Sequence, residues 1–240
     1  MYTLIPRNST ARGSVVYVHG GGWVNEIAPQ HWQLAAQIAA EAMITVKVLI
    51  YPLVPFGSAR EVVEGVSAEV LESTRAHGPT VLAGDSAGGQ IVLSTLLRLR
   101  DIHGLTLPRA IAISPALDLS MTNPQIQVVQ PSDPWLGTEG AKVFIDLWKG
   151  TLDVLDPVVS PLEGSLEGLG PITIFSGTRD ILNPDSKLFT AKATTAGVDV
   201  EFIEIDGQIH VYPLLPTRIG QDARKKIVGR VAEAISDVTW

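Results

Sequence analysis

The sequence predicts an α/β protein: a mostly parallel central sheet with helices on both faces. Three observations carry that reading. Strand-like and helix-like segments alternate along most of the chain, as crossover units of a parallel sheet require. The chain is 240 residues long and 45% apolar, which suits one domain with a sizeable core better than two small ones. Near residue 86 a short apolar strand, a glycine-rich turn and a helix follow one another directly. A doubly wound NAD-binding sheet shares the alternation, so the alternation alone leaves function open.

The elements follow in order. Tyr2 to Ile5 reads as a short edge strand, and Ser14 to Val18 as an apolar, β-branched strand ending at His19. Ala28 to Ala42 is helical in character, with Leu34 and Ile38 among many alanines. Ile44 to Ile50 reads as a buried strand, after which Pro52 and Pro55 mark a loop. Ala59 to Ala76 has a helical stripe of Val62, Val63, Val66, Val70 and Leu71. Thr80 to Ala83 is a strand, Ala87 to Arg100 a helix, and Ala110 to Ser114 the next strand. Ile172 to Ser176 and Val200 to Ile205 are two more strands, separated by a helix over Asp185 to Ala196 that Gly197 closes. Arg218 to Val238 is a long amphipathic helix capped by Thr217. Leu119 to Leu169 breaks the alternation. It is rich in Pro, Gly and Asp, and contains one convincing helix around Glu139 to Trp148. We expect a single domain over 1–240, with 119–169 inserted as a lid or cap over the site.

Composition excludes several classes. Net charge is −7 and no basic block stands out, which argues against a nucleic-acid partner. With no cysteine there are no disulfides, cysteine nucleophiles or thiolate metal sites. The N-terminal stretch MYTLIPRNSTARGS has no long apolar run, so no secretory leader is expected, and no run is long enough to span a membrane. The expected location is cytoplasmic, and a homodimer is compatible with the sequence. Neither H-E-x-x-H nor other metal-ligand spacing occurs, so no metal and no cofactor are expected.

The turn after Thr80 to Ala83 is Gly84-Asp85-Ser86-Ala87-Gly88-Gly89. A G-x-S-x-G turn between strand and helix presents the serine hydroxyl at the carboxyl edge of the sheet, beside free helix amides. Ser86 is therefore the candidate nucleophile. A phosphate loop would need a Lys that this turn lacks. The run His19-Gly20-Gly21-Gly22-Trp23 follows the first long strand. Its glycines permit a tight bend with free amides, so Gly21 and Gly22, with Ala87, are the candidate oxyanion hole. His19 reads as an orienting or structural residue, and Trp23 as packing under the loop or lining an acyl pocket.

A serine hydroxyl needs a base. Of the five histidines, only His210 in Gly207-Gln208-Ile209-His210 lies in a late loop and completes the chain order serine, acid, histidine. Asp180 at the end of Gly177-Thr178-Arg179-Asp180 is the candidate acid. Asp185 competes but falls in a first helical turn, and Asp206 follows the wrong strand. Asp85 is expected to hold neighbouring loops. Trp135, Phe144, Leu147 and Trp148 in the insertion are candidate pocket or lid residues beside Trp23.

These motifs resemble the hormone-sensitive-lipase-like branch of the α/β-hydrolases. His19-Gly20-Gly21-Gly22-Trp23 is similar to that family's oxyanion motif, and Gly84-Asp85-Ser86-Ala87-Gly88-Gly89 to its nucleophile motif. Gly177-Thr178-Arg179-Asp180 and Ile209-His210-Val211-Tyr212 resemble its acid and histidine stretches. The resemblance runs from Val15 onward. It implies an α/β-hydrolase fold with a reduced cap, and a serine carboxylesterase taking a small ester and water, without a cofactor. The same triad also serves amidases, deacetylases and lactone hydrolases. A non-catalytic binding protein on this scaffold is a further alternative. Two departures stand out. The stretch before the first long strand is shorter than the family's N-terminal cap segment, and the loop after Tyr51-Pro52-Leu53 is short. Both suggest a more open pocket and leave substrate size open; the single lid helix, with Trp135, Phe144 and Trp148 as an apolar wall, sets the expectation of short acyl chains.

Overall fold

The computed structural model describes residues 1–7 and 13–237. Residues 8–12 of the stretch read for a leader, and Val238 at the end of the expected last helix, lie outside them. Within the described residues, seven strands form one sheet in the order β1-β3-β2-β4-β5-β6-β7. They are β1 (Tyr2–Leu4), β2 (Ser14–Val18), β3 (Thr45–Leu49), β4 (Thr80–Asp85), β5 (Ala110–Ile113), β6 (Ile172–Gly177) and β7 (Val200–Ile205). Only β1, at the edge, runs antiparallel to its neighbour; the other pairs are parallel. The helices are α1 (Pro29–Ala42), α2 (Ala59–His77), α3 (Ala87–His103), α4 (Pro124–Val129), α5 (Thr138–Lys149), α6 (Asn183–Thr195) and α7 (Arg218–Ser236).

Period-two alternation sorts the strand side chains between two layers. Val16, Val18, Leu82, Ala112 and Ile174 pack with α2, α3 and α6. Val15, Tyr17, Val46, Val81, Ile111 and Phe175 pack with α1 and α7. Because both faces are covered, every residue of β2 and β4 is buried, which explains their unbroken apolar runs. Burying each Val or Leu side chain is worth about 1.5–3 kcal/mol.

Topology then opens a crevice. The chain steps outward from β2 to β3, then crosses back to place β4 on the other side of β2. Connections diverge at this switch point, outside the carboxyl ends of β2 and β4. Val18 pairs with Gly84, so the loops that follow both strands start side by side.

The boundaries differ from expectation in places. β4 runs on to Asp85, because Gly84 and Asp85 still pair with Ala112 and Ile113 of β5, and pairing leaves no mark on periodicity. In the insertion α5 matches the expected helix, but α4 also forms. Asn123 caps it, accepting from the Gln125 N–H at 3.1 Å, and Pro124 opens it. At six residues it is too short to show a helical period.

Candidate active site

Ser86 stands between the end of β4 and the start of α3, at φ 53° and ψ −118°. A non-glycine residue holds such a backbone only where its surroundings impose it. Here its N–H donates to the Ile113 carbonyl at 2.8 Å. A Cβ on Gly88 would strike the Val18 carbonyl, and one on Gly84 would meet the Gly88 carbonyl at 2.7 Å. Only glycine lets β2, the turn and α3 pack this closely.

His210 comes from the loop after β7. Val211 next to it is left-handed at φ 45°, and its N–H donates to Ser114 Oγ at 3.0 Å, anchoring the loop to the end of β5. His210 Nε2 lies 2.9 Å from Ser86 Oγ, and Nδ1 lies 2.9 Å from Asp180 Oδ2. With its proton on Nδ1 the ring donates to Asp180 and accepts from the serine hydroxyl. Asp180 is fully buried just beyond β6, its other oxygen held by the Leu182 N–H at 3.0 Å. Burial lowers the His210 pKa, but the charge and hydrogen bond of Asp180 outweigh it, with Asp85 and Asp133 adding, so the net shift is upward.

Of the competing acids, Asp206 accepts from Thr178 Oγ1 at 2.9 Å. Asp185 lies in α6 and accepts from Asn123 Nδ2 at 2.7 Å. It faces a separate hollow of about 550 Å³ between α4 and α6. Burial first, then the charge of Asp118, push its carboxyl up to about 6 against the Asn123 hydrogen bond.

The glycine loop curls through positive φ at Gly21 (122°), Gly22 (60°) and Trp23 (61°). Among the described residues no acceptor takes the amides of Gly21 and Gly22, and Ala87 is the first residue of α3, where helix amides lack intrahelical partners. All three residues border the same cavity as Ser86 and His210. The Gly20 N–H donates to Asp85 Oδ1 at 3.1 Å, as expected of a residue that ties loops together. Asp85 also receives Tyr17 Oη at 2.6 Å and faces His31 Nε2 at 3.2 Å. Burial raises the Asp85 pKa, yet the bonds from His31, Tyr17 and Gly20 outweigh it and hold it below the usual range. His19 is structural: its ring stacks on Tyr51 at 4.6 Å and its Nδ1 lies 2.7 Å from the Gly20 carbonyl.

The cavity encloses about 460 Å³. Trp23, Trp135, Leu136, Phe144 and Leu182 form its apolar wall, with Asn25, Glu26 and Gln30 on another side. Trp148 corrects the expectation. It is wholly buried behind Trp23, the two rings stacked at 5.5 Å, and it does not border the cavity. Phe144 and Trp148, four residues apart, share a face of α5, and one turn along the axis carries that face from the cavity to the core. Leu147 is 47% exposed and also off the cavity wall.

Sequence reasoning gave no role to Tyr17, His31, Ser114, Asp133 or Gln90, each of which makes a long-range hydrogen bond at the site. Asp133 alone left a local signal, a Pro-Ser-Asp-Pro turn, and it accepts from the N–H groups of Trp135, Leu136 and Ile181. Among the described residues no group of three His, Cys, Asp or Glu is placed to hold a metal, and no helix is long and apolar enough to cross a membrane.

The switch-point crevice and the serine at a strand-to-helix turn define the class, that of hydrolases built on an α/β sheet. The chain belongs to the alpha/beta hydrolase fold family, whose model matches residues 15–214. It is 31% identical to a triacylglycerol lipase of Mycobacterium tuberculosis over 84% of this chain but only 42% of that protein. It is 30% identical to an acetyl-hydrolase of Streptomyces hygroscopicus over 85% of this chain and 70% of the relative. A hormone-sensitive-lipase homologue from a metagenome library superposes with a TM-score of 0.88 at 24% identity, covering 95% of this chain and 80% of that one. That last likeness is one of fold. Relatives and neighbours are thus esterases and lipases, consistent with a carboxylic-ester hydrolase and with the branch that the motifs resemble.

Proposed function

We propose that the protein hydrolyses short-chain carboxylic esters through an acyl-enzyme on Ser86. The observation that carries this reading is the unbroken hydrogen-bonded chain Ser86–His210–Asp180, two links of 2.9 Å, at a cavity edged by three free amides. His210 takes the hydroxyl proton as Ser86 attacks the ester carbonyl. Asp180 keeps the ring in the right tautomer and stabilises its cation. The amides of Gly21, Gly22 and Ala87 receive the tetrahedral oxygen. His210 returns the proton to the leaving alcohol, and water activated by His210 then releases the acid and restores Ser86.

Residues 119–169 act in this reading as a partial cover, contributing Trp135 and Phe144 to the acyl side of the cavity. The acetyl-hydrolase relative, matched over most of its length, supports a small acyl group better than the lipase does, since less than half of the lipase is matched. The test is Ser86→Ala with 4-nitrophenyl acetate and butyrate. Turnover should fall by roughly 10⁴–10⁶-fold while the fold persists. An organophosphate should label Ser86 in the unmodified protein. Undiminished turnover, or label on another residue, rejects the assignment.

A further inference from the structure

Gln90 is fully buried in the first turn of α3, and the mechanism above does not use it. Its Oε1 accepts from the indole N–H of Trp23 at 3.2 Å and from that of Trp148 at 2.9 Å. Its Nε2 donates to Ser94 Oγ and to the Val158 carbonyl, both at 2.9 Å. Two acceptor sites and two donors are all that a primary amide has, so its capacity is filled. The orientation is thereby fixed: a flipped amide would face two indole donors with its own donors. Ser94 Oγ passes the chain on to the Pro157 carbonyl at 2.9 Å.

The partners give this hub its meaning. Trp23 closes the glycine loop in a left-handed backbone, φ 61°, that a bulky side chain adopts only under constraint. Its carbonyl accepts from the Val54 N–H at 2.9 Å, and its ring is held by Gln90 and the Trp148 stack. The start of the same loop is held through Gly20 by Asp85. Asp85 precedes Ser86 by one residue and Gln90 follows it by four. The segment that presents the serine therefore grips both ends of the loop that carries the Gly21 and Gly22 amides.

We propose that Gln90 is a positioning residue: by clamping Trp23 it sets the oxyanion loop relative to Ser86, and through Trp148 and Val158 it locks the insertion to the same helix. This rests on the reading of Ser86 as nucleophile. An oxyanion amide acts only near 3 Å from the developing charge, so a loop that drifts loses transition-state binding and keeps ground-state binding.

The experiment compares Gln90→Leu and Trp148→Phe with the unmodified enzyme. The readouts are kcat and KM for 4-nitrophenyl acetate, the inhibition constant of a trifluoromethyl ketone that forms a tetrahedral adduct, organophosphate labelling of Ser86, and the thermal midpoint. Gln90→Leu should lower kcat by about 10–100-fold with KM within about 3-fold, and weaken the ketone in step with kcat/KM. Trp148→Phe removes one indole N–H but keeps the stack on Trp23; it should lower the midpoint and leave kcat within about 2-fold. Should Gln90→Leu not fold, Trp23→Phe removes the clamped N–H, together with the part of the indole that carries it, and should lower kcat several-fold at constant KM. A folded Gln90→Leu with kcat within about 2-fold of the parent overturns the inference. So does a kcat loss no larger than that of Trp148→Phe, and so does an unchanged kcat in Trp23→Phe where that variant is the one tested. An unmodified protein with neither ester turnover nor label at Ser86 overturns the esterase reading and this inference with it.

Discussion

At the scale of single residues, two carboxylates in neighbouring turns of the chain, Asp180 and Asp185, behave oppositely because of what surrounds them. Asp180 spends both oxygens, one on His210 and one on the Leu182 amide. Asp185 has one oxygen on Asn123 and the other buried without a partner among the described residues. Asp180→Asn should cost roughly 10²–10⁴ in kcat, since the base loses its orienting charge, whereas Asp185→Asn should cost little. Steady-state kinetics that reverse this ranking would show the wrong acid was chosen. Asp185 has its own signature in stability. Its folded pKa, about 6, lies above that of the unfolded chain, so the native state holds the extra proton and stability falls as pH rises from about 4 through 6. Asp185→Asn should therefore raise the unfolding free energy at pH 8 by on the order of 1–3 kcal/mol, read from denaturant midpoints, and gain less at pH 4. In the proposed mechanism His210 sets the pH profile. As a general base it must be neutral, and its pKa is raised, with Asp180, Asp85 and Asp133 overcoming burial. The acid limb of kcat/KM should have its midpoint above the ordinary histidine value of about 6.5, and Asp133→Asn should move it down. A midpoint at or below that value, or one that Asp133→Asn leaves in place, contradicts this account.

At the scale of elements, α5 walls one side of the cavity, and in the proposed function it limits the acyl group. Phe144 faces the cavity, while Trp148, one turn on, is sunk against Trp23 and bonded to Gln90. A helix pinned in this way forms a fixed wall. Each acyl methylene that stays against the wall adds roughly 0.8 kcal/mol, and further methylenes gain nothing once the wall ends. Values of kcat/KM across 4-nitrophenyl esters should rise from acetyl to about hexanoyl and then fall. A maximum at decanoyl or longer, or a jump in rate at an oil–water interface, would contradict a fixed wall. The glycine loop and the serine turn were legible as sequence because glycine is demanded there locally: Gly21 and Gly22 sit at positive φ, and Gly84 and Gly88 lie against backbone carbonyls. The direction in which Trp148 points was not legible. Its helical stripe contains apolar residues both at the cavity and in the core, and which side faces which depends on how α5 docks.

At the scale of the whole molecule, residues 119–169 share one apolar layer with the sheet and its helices: Ile145, Trp148, Val159 and Leu162 belong to the same buried cluster as Val62 of α2, Ile91 and Leu96 of α3 and Leu82 of β4. Heat should therefore unfold sheet and insertion together, with far-ultraviolet circular dichroism and tryptophan fluorescence giving coincident transitions. Trp148→Ala should lower the stability of this common unit by roughly 3–5 kcal/mol, read from denaturant midpoints. An early transition confined to tryptophan fluorescence would separate the insertion from the core.

The amino-acid sequence by itself determined the alternation of strands and helices, the serine turn, the glycine loop, and the chain order of Ser86, Asp180 and His210. Each is a local demand: periodicity for burial, glycine for backbone geometry, a polar residue just beyond a strand's end. Only the tertiary structure decided that Asp85, His31, Tyr17 and Gln90 brace those residues, and that Trp148 belongs to the core and not to the cavity. The bonds to Asp85 and Gln90 from Tyr17, Gly20, Trp23, His31 and Trp148 span 54 to 68 positions. Such partners meet because the sheet crosses over between β3 and β4, and a crossover leaves no periodic trace in the residues it brings together.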